Sequence, residues 1–195
     1  MSKIAIFASG SGTNAQNLYE YFKHHDRIKV DCILSNKSSA YVLERAKKMA
    51  VDSFVFSRQQ FYEEGFVIDL LKKRQIDWVI LAGFLWLLPT KLIREYPDRI
   101  VNIHPALLPK YGGKGMYGNK VHETVIENNE NESGISIHYV NEKYDEGKII
   151  YQAKCTIEKD DTADDLAKKI HVLEYEFFPK IIEQLVNQGS VFSVE

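Results

Sequence analysis

Cysteine is scarce in this chain: its 195 residues hold two, Cys32 and Cys155. Both sit inside apolar stretches, which speaks against a disulfide framework or a cysteine metal site and for reduced core thiols. No excess of positive charge is present either. The 25 basic residues are interspersed among 27 acidic ones, for a net charge of -2, so the concentrated field of a nucleic-acid binder is missing. Long apolar runs are also missing. The opening Met1 to Ala8 is too short to span a membrane and carries no secretory cleavage pattern. There is no internal repeat, linker or low-complexity tract. What remains is the composition of one soluble, cytoplasmic domain over residues 1–195, 45% hydrophobic and able to bury a core.

Short apolar runs rich in β-branched residues alternate with segments of helical period, the pattern of an α/β fold. The strands expected are Lys3 to Ala8, Lys29 to Ser35, Ser53 to Phe56, Trp78 to Ala82 and Arg99 to Ile103. Helices are expected at Asn14 to His24, Ala40 to Ala50, Gln59 to Arg74 and Pro89 to Glu95. A glycine-rich loop follows, Pro105 to Gly118, of a length usually reserved for function. After it come a helix at Asn119 to Asn128, strands at Gly134 to Val140 and Lys148 to Ile157, and a last helix from Thr162 to Gln188. Asp160, Asp161 and Thr162 offer that helix a cap, and Gly189 a stop. Together these predict a mostly parallel, Rossmann-like open sheet with helices on both faces and a mixed C-terminal extension.

Ser9-Gly10-Ser11-Gly12-Thr13-Asn14 joins the first strand to the first helix. Its glycines let backbone N–H groups approach an anion, and the helix N-terminus adds a favourable dipole, so a phosphate is the expected ligand. With Ala15 the run also meets the loose dinucleotide pattern, but Asn36 stands where an acidic residue is needed after the second strand. The lysine and hydroxyl pair of a true P-loop is absent. The alternative is a tight strand-to-helix turn with Thr13 as N-cap.

Asn102 and His104 straddle Ile103 at a strand end, so a period of two points both side chains the same way. Pro105 restricts His104 to extended geometry. Asp145, forty-one positions after His104, lies in the acidic turn Tyr144-Asp145-Glu146-Gly147. An amide, an imidazole and a carboxylate can polarise a carbonyl, move a proton and hold the proton mover in its working charge state. Near His104, Asp145 is expected to favour the imidazolium, a cation able to donate to an oxyanion. Alternatively His104 is a hydrogen-bonded structural histidine and Asp145 a solvated turn acid like Glu142 and Glu146. His24, His25 and His138 read as structural.

Gly10 to Asn14, Ser35-Asn36-Lys37, Leu81-Ala82-Gly83-Phe84, Asn102-Ile103-His104-Pro105-Ala106-Leu107-Leu108-Pro109 and Asp145-Glu146-Gly147 resemble the folate-dependent formyltransferases, and among them the glycinamide ribonucleotide branch of purine synthesis. The resemblance covers nearly the whole chain. It implies transfer of the formyl group of 10-formyltetrahydrofolate to the amine of glycinamide ribonucleotide, without a metal and with the amine as nucleophile. It further implies that Asn102 and His104 stabilise the oxyanion, that Asp145 tunes His104, and that Gly12, Thr13 and Asn14 hold the substrate phosphate. Glu174, with His171 one turn before it where one branch has glutamine, is implied to bind the ribonucleotide.

Leu85, Trp86, Leu87 and Leu88 match the segment that receives the pterin, with Asn141, Tyr144 and Asp145 on the opposite wall and Arg58 near the folate. Trp86 replaces an arginine common there, exchanging an ion pair for an aromatic surface. Tyr111 to Gly118 is longer and richer in glycine than in the best-known branch, which suggests a mobile lid whose Lys114 meets a ligand or solvent. His122 aligns with a histidine on the helix after that loop. Residues up to about 100 become a phosphate-binding half and the rest a catalytic and folate-binding half, of a monomer or homodimer without nucleic-acid or membrane partners. Alternatives are formyltetrahydrofolate hydrolysis, whose family adds an N-terminal regulatory domain, and a non-catalytic nucleotide-binding module. Formylation of initiator methionyl-tRNA and of sugar amines fit less of the chain.

Overall fold

The computed structural model describes residues 1–189. Seven strands form one sheet in the order β3-β2-β1-β4-β5-β6-β7. In chain order they are β1 (Ser2–Phe7), β2 (Ile28–Ser35), β3 (Asp52–Val55), β4 (Trp78–Leu81), β5 (Ile100–His104), β6 (Glu132–Tyr139) and β7 (Ile149–Thr156). The first five run parallel, while β6 pairs antiparallel with both β5 and β7.

Alternation along β1 divides the core. Ile4 and Ile6 face one cluster with Leu18, Phe178 and Ile182, whereas Ala5 and Phe7 face another with Val67, Leu71 and Leu92. Both sides of a central parallel strand must be covered, which is why β1 and β4 read as nearly continuous apolar runs. The first cluster is covered by α1 (Thr13–Phe22), α2 (Val42–Lys48), α6 (Asn119–Glu127) and the long α7 (Ala163–Gln188). The second lies under α4 (Phe66–Arg74) and α5 (Thr90–Glu95). Thr162 caps α7 through a reciprocal box with Asp165, as its sequence suggests.

One expected helix is two. The segment from Gln59 to Arg74 breaks into α3 (Arg58–Tyr62) and α4, with Gly65 between them at φ 73 as the cap of the second. A left-handed residue cannot continue a right-handed helix, and glycine takes that conformation without a Cβ penalty. Ser57 fixes the start of α3 through a capping box with Gln60.

Candidate active site

β1 and β4 are neighbours, yet the next parallel strands lie on opposite sides of them, β2 beside β1 and β5 beside β4. That reversal leaves a crevice beyond the carboxyl ends of the strands, where open α/β sheets take their ligands. Here it holds a cavity of about 660 Å³. The glycine loop after β1, the Gly83 turn after β4, the end of β5, the Gly113 to Gly118 segment and α7 all contribute to its wall.

At one end the loop enters α1. Gly12 is the N-cap at φ 73, with no side-chain cap bond, and a Cβ there would overlap the Val42 side chain. Thr13 is therefore the first helical residue, which removes the reading of Thr13 as N-cap. The first in-helix bond is Gln16 N–H to the Gly12 carbonyl at 3.0 Å, so the N–H groups ahead of it are not used by the helix. Gly12, Thr13 and Asn14 line the cavity. Buried Ser9 braces the loop, donating to Asn36 Oδ1 at 2.7 Å and accepting from Leu85 N–H at 3.0 Å.

Glu174 and His171 come to the same place from α7. Asn14 Nδ2 donates to Glu174 Oε2 at 2.9 Å, and His171 Nδ1–H donates to the same oxygen at 2.9 Å. That bond to Glu174 raises the His171 pKa, against burial. Asn14 Oδ1 and His122 Nδ1 are buried without a hydrogen-bond partner, polar atoms that a ligand in the cavity can satisfy. Burial keeps the His122 imidazole below its ordinary pKa.

Asn102, His104 and Asp145 do meet. Asp145 Oδ2 lies 3.6 Å from His104 Nδ1 and accepts from Gly113 N–H at 2.9 Å, while Asp145 Oδ1 accepts from Asn102 Nδ2 at 3.5 Å. His104 Nε2–H donates to the Tyr111 carbonyl at 2.7 Å. Burial lowers the His104 pKa; Asp145 favours the imidazolium, as expected of it, and so does the Tyr111 carbonyl, but the two together do not reverse the shift. Burial acts to raise the Asp145 pKa, but His138, His104 and Gly113 N–H outweigh it and hold the carboxyl below its usual range. The pair is thus a neutral imidazole beside a carboxylate, a base with its counter-charge already in position.

His138, read as structural, belongs to this cluster. It accepts from Asn102 Nδ2 at Nε2 over 3.0 Å, donates from Nδ1 to the Tyr139 carbonyl at 2.8 Å, and lies 3.6 Å from Asp145 Oδ1. The antiparallel register that pairs Asn102 with His138 puts it there. Period two within β6 could have suggested its facing, but the partner strand carries no local signal.

The expected folate residues divide. Leu85 and Tyr144 line the cavity. Trp86 instead packs with Phe56, Phe61 and Tyr62, with the Arg58 guanidinium over the Tyr62 and Trp86 rings at 4.9 and 5.8 Å. Leu88 is buried in the second core cluster, the Leu87 carbonyl accepts from Tyr62 Oη at 2.8 Å, and Asn141 closes its own exposed turn onto Glu146 and Lys143. None of these five lines the cavity. Lys114, Met116 and Tyr117 line it from the loop. Among the described residues, no group of three or more His, Cys, Asp or Glu side chains is placed to hold a metal ion, and no helix is long and apolar enough to cross a membrane.

Residues 2–182 match the formyl transferase family. A phosphoribosylglycinamide formyltransferase of Haemophilus influenzae is 36% identical over 188 residues, covering 94% of this chain and 86% of that protein. A chloroplastic phosphoribosylglycinamide formyltransferase of Arabidopsis thaliana is 37% identical over 187 residues, covering 92% of this chain, which spans 64% of the plant protein's length. The crystal structure of phosphoribosylglycinamide formyltransferase from Streptococcus pneumoniae superposes with a TM-score of 0.84 at 36% identity, covering 95% of this chain and 99% of that one.

Proposed function

From the premise that this chain belongs to the formyl transferase family, we propose that it transfers the formyl group of 10-formyltetrahydrofolate to the amine of glycinamide ribonucleotide. The observation that carries the proposal is one cavity with an uncapped helix N-terminus at one end and the Asn102, His104 and Asp145 cluster at the other. A ribonucleotide whose phosphate sits at Gly12, Thr13 and Asn14 extends past Asn14, Glu174 and His171 toward His104. Leu85, the Gly83 turn and Tyr144 offer the folate ring a partly apolar wall with backbone donors and acceptors. Trp86 and Arg58 would then meet the folate beyond the cavity, with Leu87, Leu88 and Asn141 supporting that wall.

In this reading the amine attacks the formyl carbon, a C–N bond forms, and the carbonyl oxygen takes up negative charge. Asn102 is the donor that stabilises it, joined by His104 once that ring has been protonated. Neutral His104 receives a proton from the attacking amine, and Asp145 stabilises the resulting imidazolium. The proton is returned to the departing folate nitrogen as its bond to the formyl carbon breaks. The first half of the chain supplies the phosphate site and the second the proton-moving groups. The unpaired Cys32 and Cys155 suit a reducing cytoplasm, which cell fractionation would test.

The decisive assay supplies both substrates and follows formylated ribonucleotide. Formylated product supports the proposal. Release of formate without it would point to hydrolysis, and ligand binding with neither product would point to a binding module.

A further inference from the structure

Tyr111 adopts φ 57, a left-handed conformation that bulky L residues rarely occupy. Nothing in a tyrosine favours it, so its surroundings must hold it there. Its hydroxyl donates to Glu130 Oε1 at 2.8 Å, and the same oxygen accepts from Lys110 Nζ at 2.8 Å. On the inner side its carbonyl accepts from His104 Nε2–H at 2.7 Å. Two residues on, Gly113 N–H holds Asp145 Oδ2. Gly112 between them lies so close that a Cβ would press on Leu108 and meet Asp145 Cβ at 3.2 Å. Tyr111 and Gly113 therefore grip His104 and Asp145 through backbone hydrogen bonds, with Gly112 packed closely between them, while neither Tyr111 nor Glu130 lines the cavity.

The grip has a chemical consequence. A neutral imidazole that donates from Nε2 carries its lone pair on Nδ1, and Nδ1 is the nitrogen 3.6 Å from Asp145 Oδ2. We infer that Tyr111 is a positioning residue: its carbonyl selects Nδ1 as the working nitrogen of His104, and the Tyr111 to Glu130 hydrogen bond keeps that carbonyl in place. That Nε2 carries a proton follows from this geometry alone, since a carbonyl oxygen only accepts, and only its effect on turnover rests on the formyl-transfer reading.

The test reads histidine tautomers by ¹⁵N NMR in the full chain, with His104 identified by its loss in His104→Gln. Wild-type protein should show His104 protonated on Nε2. Tyr111→Phe and Glu130→Ala should each mix the tautomers and lower kcat about tenfold, with both KM values within about twofold. Glu130→Gln retains a carbonyl acceptor and should stay near wild type. An unchanged tautomer in both disruptive variants overturns the inference, whether kcat is preserved or falls with folding stability. If Tyr111→Phe does not fold, the two Glu130 variants decide. If the wild-type protein forms no formylated product, the proposed reaction fails, and the NMR result still settles the role of Tyr111.

Discussion

His104 combines near-complete burial with a carboxylate 3.6 Å away, and burial wins. Its neutral form suits a base, so replacing it with alanine should lower kcat by about 10²- to 10⁴-fold, measured at saturating substrates. Asp145→Asn should lower it less, since the imidazole remains but its cation loses the counter-charge. A near-normal kcat in either variant removes that residue from the proposed chemistry. Burial also links His104 to stability. Its folded pKa lies below its unfolded one, so its stabilising contribution is complete above about 6.5 and is lost as pH falls through the folded value. His122 shifts the same way, while the single His171, half-exposed and so screened by solvent, shifts oppositely. The urea midpoint should therefore drop between about pH 7 and pH 5.5, and His104→Gln should flatten the drop. A midpoint independent of pH over that range contradicts this balance. Asn102 and His104 were legible because period two within one strand fixes their common direction. Their distance to Asp145, and the presence of His138, were not, because both depend on which strands the fold places side by side.

Among the elements, strands and helices with strong periodicity were readable, and the exception is instructive. Residues 59 to 74 keep a helical apolar pattern across Gly65, so hydrophobic spacing gave no warning of the break between α3 and α4. The signal was the glycine itself, whose left-handed φ sets the angle between two short helices. A Cβ at Gly65 meets no neighbour within 4 Å, so only backbone strain opposes it. Gly65→Ala should destabilise the fold by about 1–2 kcal/mol in denaturant titrations and leave kcat unchanged. Gly12→Ala combines the same strain with overlap on Val42, and should also raise the ribonucleotide KM by moving the glycine loop proposed to hold the phosphate. An unaltered KM would separate that loop from phosphate binding.

Across the whole molecule, α7 is the organising piece. It packs on α1, α6, β6 and β7 while presenting His171 and Glu174 to the cavity. Phe178, fully buried one turn beyond Glu174, anchors it. Phe178→Ala should cost about 3–5 kcal/mol by thermal or chemical unfolding, and should weaken ribonucleotide binding in proportion to helix undocking. Full affinity in a folded variant with a loosened α7 would show that the site does not depend on that packing. Sheet order was the least readable feature, because strand sequences specify faces while order emerges from how crossover helices share those faces.

The 2.9 Å bond between Asn14 and Glu174 joins residues 160 positions apart. During synthesis, the glycine loop leaves the ribosome long before its α7 partner exists. Nascent chains stalled before Ala163 should gain no protease protection from the ribonucleotide, whereas chains whose α7 has emerged should, making ligand recognition a late step of biogenesis.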